Sequence, residues 1–333
     1  MVSIMTTMNL FLRFSPIGVT TMIFLLNACS GSLPSTNIKG PYTYRQRMEM
    51  VTGGFQRSYR VHVPIGYDGS NSLPLVVVIH GAFDNAKGME KFSGYSQLAD
   101  RENFIVLYPE GIGIFGYLQH WNAGHCCGKA ANDRIDDVGY LIKAIEDVCL
   151  RLSVDQDRVY MIGFSNGGMM TYRFAAEHTD VLAAAASVSA SIGGRANADV
   201  PEWFISKPKK PLPIIIMHGT DDDDIPFDGG ISKHRKGERT YFSVQNSVDF
   251  WTKANGCKGD PNFLILRHGA VKIQTWDNCK NSSPTVLCKI DGWGHVWPGP
   301  YFTAKLPTND PLFDFDAAEM IWQFFINFSR TGD

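Results

Sequence analysis

The chain has 333 residues, with 31 lysines and arginines against 33 aspartates and glutamates, a formal net charge of −2. That balance excludes a polyelectrolyte that binds nucleic acid through charge; the one basic patch, Lys207 to Lys210, is broken by Pro208. A content of 44% hydrophobic residues suffices for one large buried core.

Residues 1–28 contain Arg13 and no acid, and an apolar run from Ile17 to Leu26. The run is too short for a membrane span, so it reads as a signal peptide. It ends Leu26-Asn27-Ala28-Cys29-Ser30, a lipobox-like pattern in which Cys29 is lipidated and becomes the mature N-terminus. Asn27 departs from the small residue usual there, and simple cleavage near Ala28 is the alternative. Residues 29–40 then form a Ser/Pro/Asn tether and residues 41–333 a single catalytic domain. The expected location is export, either anchored in the outer membrane or periplasm by lipid or freely secreted. The membrane is touched only through that anchor.

Tyr42 to Val51 and Arg57 to Pro64 alternate as an antiparallel pair around Gly53-Gly54. Buried strands are then expected at Leu75–His80, Phe104–Tyr108, Val159–Phe164, Ala183–Val188, Pro213–His218, Phe263–Thr275 and Val286–Ile290. Helical patterns lie at Tyr95–Arg101, Asp136–Leu152, Gly167–Glu177, Tyr241–Ala254 and Asp314–Phe328. Alternation of strands and helices implies an α/β fold with a mostly parallel central sheet and helices on both faces.

The stretch Gly163-Phe164-Ser165-Asn166-Gly167 closes one strand and opens a helix of small residues. In that context the serine of G-x-S-x-G sits on a strained turn that lifts its hydroxyl above the sheet. Ser165 is therefore the expected nucleophile. It needs a base within hydrogen-bond reach and an acid to fix the base's tautomer. His178, His218, His234 and His268 read as helix, strand, solvated-loop and turn residues. His295 lies in Gly292-Trp293-Gly294-His295-Val296-Trp297, a glycine-rich loop after a strand, and is the expected base. The acid should follow the strand ending at Met217, where Asp221 to Asp224 stand in a row. Four adjacent carboxylates cannot all be buried; spacing favours Asp222, with Asp221 the alternative. The oxyanion donors are expected to be the N–H of Asn166 and that of Ala82, or less favourably Phe83, after the apolar strand ending His80-Gly81. His80 precedes the serine and reads as a structural histidine. Trp121, Trp293 and Trp297, with Tyr117 and Phe227, are candidates for an aromatic substrate floor, and each could equally be core.

Six cysteines follow Cys29, an even number that in an exported chain reads as disulfides. Cys257–Cys279, one after a helix and one before the strand leading to His295, is the expected bridge. The segment His120 to Cys127 does not have zinc-site spacing, so no metal is expected.

With these residues assembled, the chain resembles exported esterases of the polyhydroxybutyrate depolymerase, feruloyl esterase and acetylxylan esterase group. The resemblance rests on His80-Gly81, Tyr108-Pro109-Glu110-Gly111, Trp121 to Gly124 with Cys126-Cys127, Asp136-Asp137-Val138, Gly163 to Gly168, His218-Gly219-Thr220, Asn255-Gly256-Cys257 and Gly294-His295. It implies an α/β-hydrolase fold and a Ser-Asp-His esterase working through an acyl-enzyme without cofactor, with nucleophile, acid and base on Ser165, Asp222 and His295. Trp293 departs from the glycine usual in the group. The expected substrate is a small acyl ester, a polysaccharide-linked ester or a hydroxyalkanoate polymer. The alternatives are a serine peptidase of the same fold, or a non-catalytic surface lipoprotein on a hydrolase scaffold.

Overall fold

The computed structural model describes residues 40–52, 55–114, 117–234 and 237–330. The leader expected over 1–28, Cys29 and the tether up to residue 39 lie outside the described residues. Among the described residues no helix is long and apolar enough to cross a membrane.

Ten strands form the main sheet: β1 Tyr42–Thr52, β2 Phe55–Val63, β3 Leu73–Ile79, β4 Ile105–Pro109, β5 Val154–Phe164, β6 Ala184–Val188, β7 Ile214–Gly219, β8 Asn262–Leu266, β9 Val271–Trp276 and β10 Thr285–Ile290. Their order is β1-β2-β4-β3-β5-β6-β7-β10-β9-β8. The six central strands from β4 to β10 run parallel, and the outer pairs are antiparallel. Strands β3, β4 and β6 are buried along their whole length, as expected of parallel strands covered on both faces.

Alternate side chains of β3 assign the two faces. Leu75, Val77 and Ile79 join a core with α4 (Asp137–Arg151), α5 (Asn166–Glu177) and α6 (Val244–Asn255). Val76 and Val78 join another with α1 (Ala86–Ser93), α2 (Tyr95–Glu102) and α8 (Ala317–Phe325). The two remaining helices, α3 (Gly128–Asn132) and α7 (Pro300–Thr303), are short.

Several boundaries differ from the pattern reading, each for a local reason. The run expected as one strand over Phe263–Thr275 is a hairpin, because the chain reverses at Arg267–Gly269 with His268 and Gly269 at φ +52° and +97°. Helix α6 begins at Val244, since Ser243 and Asn246 form a reciprocal cap and Tyr241 is taken by a short strand. Helix α8 begins at Ala317, where the Asp316 carboxylate accepts from the N–H groups of Ala318 and Glu319. Helix α1 is absent from the pattern reading; it is only eight residues long, and Gly88 lies inside it.

Strand register aligns the ends of the central strands. Ile79 pairs with Gly163, Phe164 with Val188, Val188 with Met217 and Gly219 with Ile290. The C-terminal ends of β3, β5, β6, β7 and β10 are thus level, and the loops after them share one rim.

Candidate active site

At that rim β5 turns into α5 through Ser165, whose backbone has φ +55° and ψ −122°. A side chain in this region is strained, and neighbouring packing must hold it. A Cβ on Gly163 would overlap the Gly167 carbonyl, and one on Gly167 would overlap the carbonyls of Ile79 and His80. The Ser165 N–H donates to Val188 O at 2.9 Å, which ties the turn to β6.

The structure brings Ser165, His295 and Asp222 together. His295 Nε2 lies 2.8 Å from Ser165 Oγ, and His295 Nδ1 lies 2.8 Å from Asp222 Oδ2. The imidazole rests on Phe164, with ring centroids 5.1 Å apart. The acid loop and the histidine loop are held together: Asp221 N–H donates to Trp293 O at 3.0 Å, and Gly292 N–H to Thr220 Oγ1 at 2.8 Å.

Of the four aspartates, Asp222 alone is buried. Its Oδ1 accepts from the N–H groups of Asp224 and Ile225, at 3.0 and 2.8 Å. Burial works against its charge, but hydrogen bonds from His218 and His295 outweigh that and hold the carboxyl well below its ordinary value. Asp223 pairs with Lys233 and Asp224 with His234, both at the surface side of the loop. His218, a strand residue in the sequence pattern, has its Nε2 2.9 Å from Ile225 O and 3.3 Å from Asp222 Oδ2.

Asn166 is fixed by an amide pair. Its Oδ1 accepts from Trp121 N–H at 2.7 Å and its Nδ2 donates to Trp121 O at 3.1 Å. As the first residue of α5, its own N–H lacks an intrahelical acceptor and points out of the helix start. The Phe83 N–H is engaged by Gln119 O at 2.8 Å, whereas the Ala82 N–H has no protein acceptor among the described residues. His80 donates from Nδ1 to Gly81 O at 2.7 Å and accepts the Gly111 N–H at Nε2, 3.0 Å away. Burial pushes its pKa down to about 4, so it is a neutral brace.

A cleft of about 230 Å³ opens over Ser165, Asn166, Ala82 and His295. The tryptophans expected to floor it do not line it. Trp121 is fully buried, stacks on Tyr140 and donates from Nε1 to His80 O at 2.9 Å. Trp297 is buried against Tyr95 and Phe164, and Trp293 turns its Nε1 to Val296 O at 2.7 Å. Tyr117 is 72% exposed, and Phe227 packs on His218. The walls instead include Met169, Ile225, Arg239, Tyr241 and the Cys126–Cys127 pair. Arg239 and Tyr241 reach it on a small antiparallel sheet of Gly193–Arg195, Trp203–Phe204, Gly230–Ile231 and Thr240–Tyr241. Two- and three-residue strands leave no periodicity in the sequence, so no pattern points to Arg239.

Cys257 and Cys279 are bridged, and so are the neighbours Cys126 and Cys127. The even count suggests that every cysteine after Cys29 is bridged, but Cys149 and Cys288 stay as thiols. They lie on opposite faces of the sheet, and burial pushes the Cys288 thiol up to about 12. Among the described residues no cluster of His, Cys, Asp or Glu could hold a metal.

The family model described as Esterase PHB depolymerase matches residues 57–221. Feruloyl esterase B of Piromyces equi is 31% identical over 242 residues, 72% of this chain and 42% of that protein. The chain therefore spans less than half the length of that relative. "Putative esterase NocK" of Nocardia uniformis subsp. tsuyamanensis is 30% identical over 280 residues, 79% of this chain and 77% of its own length. Among solved structures, acetyl xylan esterase from Aspergillus awamori shares 18% identity at a TM-score of 0.54, covering 76% of this chain and 94% of that one. That likeness is one of fold, and the fold is that of the α/β-hydrolases.

Proposed function

This chain belongs to the esterase PHB depolymerase family, and from that premise we propose that it is a serine carboxylic-ester hydrolase acting through a Ser165-His295-Asp222 triad. The observation that carries the reading is the imidazole of His295, bonded through Nε2 to Ser165 and through Nδ1 to Asp222.

In this mechanism His295 Nε2 takes the Ser165 proton as Oγ attacks the acyl carbon. Negative charge builds on the carbonyl oxygen, where the N–H groups of Ala82 and Asn166 can donate. Collapse expels the alcohol, protonated by His295. Water then attacks the acyl-enzyme by the same route and releases the acid. Asp222 keeps the Nδ1 proton of His295 in place and stabilises the imidazolium that forms in each step.

The volume of about 230 Å³ is small beside the roughly 300–1,000 Å³ of ordinary ligand pockets. That supports a short acyl or hydroxyacyl group over a bulky one. The leader over residues 1–28 and the Cys29 pattern support export with a lipid anchor; Cys29→Ala should move the protein from the membrane to the soluble fraction.

The test is a panel of methyl ferulate, acetylated xylan, 3-hydroxybutyrate oligomers, short p-nitrophenyl esters and peptide anilides. Ser165→Ala should lose on the order of 10⁵–10⁶ in kcat on every ester that wild type cleaves. Undiminished ester turnover in that variant would overturn the assignment, as would faster cleavage of anilides than esters.

A further inference from the structure

We propose that Arg239 makes this cleft selective for esters that carry a free carboxylate close to the scissile bond. The inference rests on the esterase reading and names its substrate class.

Among the described residues that line the cleft, Arg239 is the one permanently charged side chain, and none is an aspartate or glutamate. Its Nη1 faces sulfur: Cys126 Sγ at 3.4 Å and Cys127 Sγ at 3.5 Å. Its Nε reaches Ala196 O at 3.5 Å. Sulfur is a weak acceptor, so these contacts orient the guanidinium without satisfying its five donors. A half-buried cation without a counter-ion is costly, and a ligand carboxylate is the group that completes it with two parallel N–H···O bonds.

The position is also close to the reacting centre. Cys126 Sγ, which Arg239 touches, lies 3.9 Å from Nδ2 of Asn166, the residue after the nucleophile. The backbone beside Arg239 is held by pairing of Thr240 with Arg195 and of Tyr241 with Gly194. His125, a base that feels the Arg239 charge, is fully buried and kept neutral, its pKa pushed down to about 3 by burial and by that charge. It neither neutralises Arg239 nor competes for an anion.

A carboxylate can reach this point from two sources. It can sit on the alcohol side, as at the free end of a short hydroxyalkanoate oligomer, or on the acyl side, as in the half-ester of a dicarboxylic acid. Two substrate pairs separate these: 3-hydroxybutyrate trimer against its methyl ester, and mono-4-nitrophenyl adipate against its methyl ester.

In wild type, the acid form of one pair should be preferred in kcat/KM by roughly tenfold or more, as expected of a hydrogen bond between charged groups. Arg239→Gln should bring that ratio to near one, and Arg239→Lys should keep part of it. Raising salt to ~0.5 M should narrow the wild-type ratio through screening. The pair that responds identifies the side of the ester that faces Arg239. Ratios near one for both pairs in wild type, or a preference that survives Arg239→Gln, overturn the proposal. Binding to Ser165→Ala protein gives a readout independent of turnover. If no ester is cleaved but the trimer acid binds in an Arg239-dependent way, the selectivity stands and the esterase reading falls. If the acid is neither cleaved nor bound, both fall.

Discussion

Nε2 of His218 stands 3.3 Å from the same Asp222 oxygen that accepts the Nδ1 proton of His295. The same nitrogen lies 2.9 Å from Ile225 O, so one fully buried donor ties both the acid and the loop that carries it. His218 is thus a positioning residue for Asp222. A lost hydrogen bond to a charged group is worth about 1.5–3 kcal/mol, so His218→Ala should lower kcat roughly tenfold to a hundredfold. KM should change little, because His218 does not line the cleft. His218→Gln, whose amide can donate from nearly the same point, should recover most of the loss. A fall in stability with kcat intact would assign His218 to folding alone.

Asp222 also makes a prediction for acid stability. Its carboxyl is held below the ordinary 3.8: burial opposes this, and the bonds from His218 and His295 prevail. A depressed native pKa means that the unfolded chain takes up the proton first as pH falls. The stabilisation is therefore fully present above the unfolded pKa and lost as pH drops through the native one. Urea unfolding of wild type and Asp222→Asn should differ most above about pH 5, and the gap should close progressively below about pH 4. A gap that stays constant from pH 7 to pH 3 would contradict this linkage.

The Asn166–Trp121 amide pair joins the elbow to the loop that borders the cleft. Asn166→Ala keeps the backbone N–H but strands the buried N–H of Trp121, while the Trp121 C=O still accepts from the N–H groups of Ala123 and Cys127. Leaving such a group unpaired costs about 1–3 kcal/mol before any water enters. The variant should unfold at lower denaturant concentration and show reduced kcat on any ester that wild type cleaves. Equal midpoints for the two proteins would show that the pair contributes nothing to the fold.

The positions of Ser165, Asp222 and His295 just after strands are legible in the chain because the second half of β5 (Val159–Phe164), β7 and β10 are largely apolar runs closed by glycine, aspartate or glycine-rich loops. The glycines flanking Ser165 are legible for a steric reason that the structure repeats at Gly163 and Gly167. The cleft walls are not legible in the same way. Trp121 and Trp297 carry the same sequence signal whether they face a ligand or a core, and tertiary packing buries both in the core. Arg239 lies among polar residues beside a two-residue strand, and only tertiary pairing carries it to Ser165's cleft. Cys149 and Cys288 look like bridge partners by count alone, since counting carries no information about which face of a sheet each occupies.

The Cys257–Cys279 bridge closes a sequence separation of 22 residues, from the end of α6 to the segment before β10. Closing a loop of that size is worth about 3 kcal/mol in the chain-entropy account, through the unfolded state. Beyond β10 the chain runs directly into the loop of His295, and Asn255 at the end of α6 bonds Leu212 and Thr285, binding β7 and β10 to the same helix end. Much of the native geometry is thereby fixed without the bridge. Replacing both cysteines with alanine should lower stability by about 3 kcal/mol while kcat at low temperature stays close to wild type. Thermal unfolding followed beside initial rates separates these effects. Activity lost in step with the bridge at temperatures where the double variant remains folded would mean that the covalent tie positions His295 directly.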